Sequence, residues 1–153
     1  MPPLTSKQVR HLLSMPLVAR LATVKPDGSP YVVPIWQYWD GQTIYLIPRA
    51  KSKFVEYLKN DPRVAISCAD DINEKNGRVL IEGNAKILKG PEPMKGLTLQ
   101  IAKEMAERYK GDSGLQYLQE TMDMPRYLIG VKPNKMVTWT GKWHSRYSRV
   151  DTQ

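Results

Sequence analysis

The sequence predicts a mainly β protein, a β-barrel with flanking helices. Asp-Gly pairs separate the first apolar runs, which is typical of hairpins between antiparallel strands. Apolar residues at helical spacing are confined to a few segments, bounded mostly by Gly or Pro. Between them, six or seven short β-prone runs recur, as barrels require, at about 18–24, 31–38, 43–48, 64–69, 78–88, 127–131 and 135–139.

The chain begins with a predicted helix and a predicted hairpin. Thr5 is a suitable N-cap for a helix that runs to about Leu13, and Pro16 ends it. The segment Ala19–Pro34, ARLATVKPDGSPYVVP, then places an Asp-Gly turn between two β-prone runs. Pro34 lacks a backbone N–H, so we expect it on an edge strand or at a bulge, where backbone can face a ligand.

A second hairpin and a second helix follow. Asp40 and Gly41 predict a turn between the second and third strands. Apolar residues at helical spacing predict a helix over 52–60, which Asp61 and Pro62 end. The next two strands are joined by a polar loop at 70–77.

Two helices precede the last strands. A break at 90–93 leads into a long predicted helix over 94–110, and a shorter helix over 115–122 follows. The apolar face of the long helix is predicted to contain Leu97, Ile101, Met105 and Tyr109.

Length and composition favour one domain over residues 1–153. The chain is 41% hydrophobic and 25% charged, which is ordinary for a globular protein. No apolar run approaches the roughly 18–20 residues that cross a bilayer. The N-terminus lacks the apolar core of a secretory signal. We therefore expect a cytoplasmic protein.

The net charge of +8 calls for an anionic partner or a solvated basic surface. Nucleic acid, an acidic membrane and an anionic small molecule are all compatible with it. Part of the charge lies near the C-terminus, at Lys142, Arg146 and Arg149, beside Trp143 and Tyr147. The net charge alone does not distinguish among these partners.

Residues suited to acid–base, nucleophilic or metal chemistry are scarce. His11 and His144 are far apart and lack metal-ligand spacing, so no metal site is expected. Cys68 lies in an apolar, β-prone run and is expected to be a buried structural thiol. The nucleophile elbow, the Rossmann glycine motif and the P-loop are all absent from the sequence.

The segment Arg49–Lys53 is the candidate anion site. It joins a predicted strand to a predicted helix, where free backbone N–H groups point outward. Cations at a helix N-terminus oppose the helix dipole, so their presence suggests that an anion offsets the repulsion. A basic helix start exposed to water is the alternative. The side chains concerned are Arg49, Lys51, Ser52 and Lys53.

Aromatic residues are concentrated on the two strands that are predicted to pair. A planar ligand could pack against them, although aromatic side chains on strands more often belong to a core or an interface. The group consists of Trp36, Tyr38, Trp39 and Tyr45, with Trp139 and Trp143 from the far end of the chain.

Three motifs resemble one protein family. ARLATVKPDGSPYVVPIW, IYLIPRAKSKFVEYLKNDPRVAIS and RVLIEGNAKIL occur in the order and at the spacing of the pyridoxamine 5′-phosphate oxidase-like split barrels, which bind flavins or deazaflavins. The resemblance covers about residues 8–139. The helix containing Ala106–Tyr109 and the ending Val131–Trp139 look closest to the probable coenzyme F-420-dependent enzymes of that family.

The resemblance implies a six-stranded split β-barrel and a homodimer with cofactor sites at the interface. It assigns the cofactor phosphate to Arg49, Lys51, Ser52 and Lys53. It assigns the isoalloxazine ring to the backbone of Val33, Pro34, Ile35, Trp36, Ile47 and Pro48. Arg78 and Trp139 would reach the cofactor from the second subunit. The C-terminal ending of true pyridoxamine phosphate oxidases is not recognisable in GKWHSRYSRV, so vitamin B6 oxidation is not expected.

The implied activity is that of a flavin-type oxidoreductase acting on a small organic substrate. The cofactor carries out hydride transfer, so the chain needs no dedicated acid, base or nucleophile. FMN is the commoner cofactor of the family, and coenzyme F-420, whose polyglutamyl tail suits a net charge of +8, is the alternative. A non-catalytic protein that binds or sequesters flavin, deazaflavin or haem is a second hypothesis. Nucleic-acid binding is a third, which no recognition motif supports.

Overall fold

Seven antiparallel strands and four α-helices form the fold in the computed structural model, which describes residues 2–140. The strands are β1 (Ala19–Val24), β2 (Pro30–Ile35), β3 (Tyr38–Trp39), β4 (Ile44–Leu46), β5 (Arg63–Ala69), β6 (Arg78–Glu92) and β7 (Arg126–Trp139). The helices are α1 (Ser6–Ser14), α2 (Lys53–Asn60), α3 (Gly96–Lys110) and α4 (Gly114–Glu120). One-turn 3₁₀ helices occupy Glu74–Asn76 and Gly111–Ser113. The residues predicted to form a basic C-terminal cluster, and His144, lie outside the described range.

The sheet curls into a barrel because its two outer strands are neighbours in sequence. The strand order is β2-β1-β5-β6-β7-β4-β3, so β2 and β3 lie at opposite edges. In a flat sheet these edges would be about 29 Å apart, at about 4.8 Å per strand. Only Trp36 and Gln37 join the two strands, and the step from Ile35 to Tyr38 spans at most roughly 11 Å. The sheet must therefore curl until its two edges lie close together, although β2 and β3 do not pair, and the predicted mainly β barrel class is confirmed.

The predicted strand count of six requires a correction. The run over 31–38 is interrupted at Trp36, so it supplies both β2 and the two-residue β3. The runs 127–131 and 135–139 instead form one long strand, β7, whose pairing with β6 shifts register between Glu82 and Gly83. The extra residue on β7 is accommodated as a bulge, which bends the strand without ending it.

Both predicted Asp-Gly turns are present. Asp27 Oδ1 accepts a hydrogen bond from the Ser29 backbone N–H at 2.9 Å, and Gly28 has a φ of 82°. In the second turn Asp40 Oδ1 accepts from the Gln42 and Thr43 N–H groups, each at 2.7 Å. These side-chain contacts replace the backbone bonds that a turn leaves unmade.

The first helix begins with a capping box, and its apolar face enters the barrel core. Thr5 accepts a hydrogen bond from the Gln8 N–H, and the Gln8 side chain accepts one from the Thr5 N–H. The helix buries Val9, Leu12 and Leu13 against the alternating inward residues of the strands. None of the described helices is long and apolar enough to cross a membrane.

The first half of β7 is buried on both faces, which sets the position of the site. Tyr127, Ile129 and Val131 face the barrel core. Leu128, on the opposite face, packs against Ile101 and Met105 of α3. The predicted apolar face of α3 is thus confirmed at these two positions, whereas Leu97 in its first turn is exposed. Helices α3 and α4 therefore cover the outside of the barrel at this point.

Cys68 is buried in the core, as predicted, and burial raises its pKa to about 11. We expect the native thiol to be unreactive toward a disulfide reagent at pH 8, and one thiol per chain to react after denaturation. The pKa of the thiol is higher in the folded chain than in the unfolded chain. The contribution of the neutral, buried thiol to stability is therefore complete below pH 9. That contribution is lost as the pH rises from about 9 to 11, where only the unfolded chain is ionised at first. Stoichiometric labelling of the native protein would contradict this placement.

Candidate ligand-binding site

A cavity of about 450 Å³ lies between the strand ends and the helices α3 and α4. This volume is within the range of about 300–1,000 Å³ that is usual for small-molecule sites. Its lining is mostly apolar and aromatic, with two arginines, a serine and a tyrosine. The lining residues are Val18, Val33, Pro34, Ile35, Trp36, Ile47, Pro48, Arg49, Ser52, Phe54, Met94, Ala102, Met105, Tyr117, Leu118 and Arg126.

Most of the residues selected from the sequence line this one cavity. The structure brings together two segments that are distant along the sheet, 33–36 and 47–52. Lys51 and Lys53 are exposed and do not line the cavity. The predicted residues that do line it are Val33, Pro34, Ile35, Trp36, Ile47, Pro48, Arg49 and Ser52.

The edge strand β2 forms one wall of the cavity. Among the described strands it pairs only with β1, so the backbone groups on its outer side have no strand partner in residues 2–140. Pro34 sits opposite Arg20 in this edge strand, as expected for a residue without an N–H. Free backbone N–H and C=O groups beside an apolar surface suit the polar rim of a planar heterocycle.

The junction between β4 and α2 forms the cationic wall. The Ser52 N–H donates to the Arg49 carbonyl at 2.9 Å, and this turn leads directly into α2. Ser52 is the N-cap of that helix, but its hydroxyl makes no capping hydrogen bond. The Val55 N–H already donates to the Ser52 carbonyl at 3.1 Å, so a ligand can use the N–H groups of Lys53 and Phe54 and the Ser52 hydroxyl.

Arg78 and Trp139 lie together but away from this cavity. They are paired residues at the start of β6 and the end of β7. The Arg78 guanidinium forms an ion pair with Asp71 at 3.6 Å, and both side chains are substantially exposed. Within one chain they do not meet the other predicted site residues, so any contact with a ligand would have to cross to a second subunit.

Trp36 is held in place by α3. Its ring stacks on Tyr109, with the centroids 4.9 Å apart and the planes inclined by 4°. The Tyr109 hydroxyl donates to the Leu17 carbonyl at 2.9 Å, and burial raises the pKa of this hydroxyl. Of the described members of the aromatic group selected from the sequence, Trp36 alone lines the cavity; Tyr38 and Tyr45 contact each other, and Trp39 packs on the core. Trp143 lies outside the described residues.

A buried polar network fixes the turn that follows Trp36. Gln37 is 0% exposed, and its Nε2 donates to the Leu13 carbonyl at 2.8 Å. Arg108 Nη1 donates to the same carbonyl and to the Gln37 carbonyl, each at 3.0 Å. Helices α1 and α3 and the β2–β3 turn are thereby tied to one point next to Trp36, although the buried Gln37 Oε1 has no partner among the described residues.

Two functional candidates, Arg126 and Tyr117, were missed by sequence reasoning. Arg126 is only 7% exposed, and Tyr117 of α4 lies over its guanidinium at 5.9 Å. Burial raises the pKa of Tyr117, but hydrogen bonds from Arg126 and Arg49 and their charges outweigh it, and the net shift is downward. The predicted strand starts one residue after Arg126. A single cation at the head of an apolar run, MPRYLIGV, is the signal that could have revealed it.

The comparisons with known proteins agree with the fold described above. The chain matches the pyridoxamine 5′-phosphate oxidase family over residues 5–140. No curated protein matches it significantly. An F-420 reductase of known structure has a TM-score of 0.62 and 28% identity, over 83% of this chain and 94% of that one.

Two further solved structures extend the likeness. A conserved hypothetical protein from Mycobacterium tuberculosis has a TM-score of 0.73 and 26% identity, over 91% of this chain and 86% of that one. The heme storage protein HutZ from Vibrio cholerae has a TM-score of 0.65 over 88% of this chain and 95% of its own. Its identity of 18% shows a shared fold alone.

Proposed function

This chain belongs to the pyridoxamine 5′-phosphate oxidase family, and from that premise we propose that it is a flavin- or deazaflavin-dependent oxidoreductase. The proposal specifies FMN, with coenzyme F-420 as the alternative cofactor, and hydride transfer to or from a small organic substrate. The protein is proposed to act in the cytoplasm as a homodimer.

One observation carries the proposal: a single cavity joins an aromatic and apolar wall to a cationic wall. Trp36 and the free edge of β2 suit a planar ring, while Arg49, Ser52 and the start of α2 suit a phosphate. A flavin nucleotide has these two parts joined by a short chain. The residues present therefore fit the group.

The chemistry of the lining agrees with cofactor-based catalysis. Among the described lining residues, the titratable side chains are those of Arg49, Tyr117 and Arg126. When bound, the cofactor supplies the hydride-transfer chemistry. The chain's own residues bind and orient it: Trp36 fixes the plane of the ring, and the basic wall neutralises the phosphate.

The proposed homodimer gives Arg78 and Trp139 a role. Both are partly exposed at the paired ends of β6 and β7, and neither lines the cavity of its own chain. A second subunit could bring them to the cofactor, as the family resemblance implies. Covalent cross-linking and sedimentation of the purified protein test the dimer, and a monomeric mass at micromolar concentration would contradict it.

Titration of the purified chain with FMN, riboflavin and coenzyme F-420 tests the proposed function. We expect saturable binding of a flavin or deazaflavin, with quenching of its fluorescence as the ring meets Trp36. Turnover of an electron acceptor by the reduced cofactor then distinguishes an oxidoreductase from a protein that only stores the ligand. A chain that binds none of the three compounds would contradict the proposal.

Replacing both Lys51 and Lys53 with Ala is expected to weaken FMN binding severalfold, but by no more than about tenfold. Both side chains are exposed, so salt and water screen their charges. Riboflavin affinity and the free energy of unfolding should not change. The matched control is the Lys86→Ala, Lys89→Ala variant, which removes two exposed charges from β6. An unchanged FMN affinity in the first variant would remove these lysines from the phosphate site.

A further inference from the structure

Arg126 is a buried cation that forms no ion pair among the described residues; Glu92, its partner in the pairing of β6 with β7, is ion-paired instead with Lys95 at 3.4 Å. Its side chain lines the cavity and is 7% exposed. None of the ion pairs among the described residues involves it. A buried guanidinium loses its hydration, and an ionic partner is the usual compensation.

The hydrogen bonds of Arg126 leave part of its donor set unused. Nη2 donates to Thr121 Oγ1 at 3.1 Å and to the Tyr117 hydroxyl at 3.5 Å. The buried Nε has no hydrogen-bond partner among the described residues. A guanidinium has five N–H donors arranged to match two oxygens of a phosphate or carboxylate.

A second cation adjoins the first. The backbones of Arg49 and Arg126 pair as an isolated β-bridge, so the two residues are direct neighbours across the cavity wall. Like charges placed side by side repel each other, and neither arginine forms an ion pair among the described residues. Arg49 is exposed, so water and salt screen part of this repulsion. A bound anion would relieve both the repulsion and the desolvation.

We propose that Arg126, Arg49 and Tyr117 form an oxyanion subsite in the wall of the cavity, in which Arg126 is buried, Tyr117 is half-buried and Arg49 is exposed. Arg126 offers its fork of donors, Arg49 adds charge, and the Tyr117 hydroxyl supplies a further hydrogen bond. The ligand group is a phosphate or carboxylate. It belongs either to the cofactor or to an organic acid substrate whose apolar part contacts Met94 and Met105. This inference deepens the proposed function and rests on it for the identity of the ligand.

Inorganic phosphate is the first probe, because it tests the subsite without any cofactor. The titration starts from a chloride buffer without phosphate. We expect added inorganic phosphate to raise the melting temperature of the wild-type chain until the subsite is saturated. The same titration of Arg126→Met should give at least about tenfold weaker binding, because a charge-assisted pair is lost. Arg63→Met is the control, since Arg63 is exposed and paired with Asp61 at 2.7 Å.

Phosphate dependence separates a ligand-binding arginine from a structural one. A structural arginine would change the melting temperature equally with and without phosphate. Tyr117→Phe keeps the ring and removes only the hydroxyl, so it serves as a second variant if Arg126→Met does not fold. It is expected to bind phosphate severalfold more weakly than wild type.

Comparison of FMN with riboflavin identifies the source of the oxyanion. If the group is the cofactor phosphate, Arg126→Met weakens FMN binding and leaves riboflavin binding unchanged, and inorganic phosphate competes with FMN. If the oxyanion belongs to the substrate, Arg126→Met leaves the affinities for FMN and for riboflavin unchanged, and inorganic phosphate still binds to the FMN-loaded protein.

Two results would overturn the subsite. One is phosphate binding to Arg126→Met or to Tyr117→Phe with wild-type affinity. The other is the absence of saturable phosphate binding to the wild-type chain. Neither depends on the flavin titration: a chain that binds phosphate through Arg126 but no flavin or deazaflavin would retain the subsite and refute the proposed cofactor.

Discussion

Replacing Ser52 with Asp is expected to weaken FMN binding strongly while leaving the protein as stable as wild type or more so. Ser52 is the N-cap of α2 and lines the cavity, but its hydroxyl forms no cap. Asp is an equally good N-cap residue, and its charge favours the helix N-terminus by about 0.3–1 kcal/mol. The same carboxylate would stand where a phosphate is proposed to bind.

The expected loss of FMN affinity is at least about 100-fold, because like charges brought together in a binding site cost several kcal/mol. Ser52→Asn is the matched control: it has nearly the shape of Asp and the same capping ability but no charge. Riboflavin, which lacks the phosphate, should bind Ser52→Asp with nearly wild-type affinity. Fluorescence titrations of FMN and riboflavin against the three proteins measure these affinities. Equal losses for FMN and riboflavin would place the phosphate elsewhere.

Replacing Gly83 with Val is expected to lower the free energy of unfolding by about 3 kcal/mol, the upper end of ordinary overpacking costs. Gly83 lies in β6 beside the register shift with β7. A Cβ atom there would be 2.7 Å from the Lys132 carbonyl oxygen and 3.0 Å from Val131 Cγ1. The first neighbour is backbone in the paired strand, so the strands themselves must separate.

Urea unfolding measures the stability of Gly83→Val, and size-exclusion chromatography shows whether the proposed homodimer is lost with it. Ser67→Val is the control, because it places the same branched side chain at an exposed position of the neighbouring strand β5. A Gly83→Val variant with native stability and native mass would mean that β6 and β7 can separate locally at little cost.

Local chemistry made most elements predictable. Capping residues, Asp-Gly turns and prolines act within a few positions of themselves, so α1, α2 and both hairpins appear where the sequence placed them. Strand continuity was less predictable. The break at Trp36 and the continuity of β7 depend on pairing with distant strands, and no local pattern encodes that pairing.

The candidate site likewise combines local features, which the sequence predicts, with contacts between distant residues, which it does not. The basic junction at 49–53 and the edge-strand proline are local features, and the family resemblance places both in a cofactor site. Arg126 and Tyr117 are 77 and 68 positions away from Arg49, and only the strand pairing and the packing of α4 bring them beside it.

The sequence by itself determined a mainly β barrel, its turns and helix starts, and a cationic segment next to a proline-containing edge strand. Only the tertiary structure decided that these features share one cavity, that Lys51 and Lys53 point to solvent, and that a buried arginine faces the ligand space. Turn and cap preferences are short-range energies, whereas burial and charge pairing depend on which distant residues the closed sheet brings together.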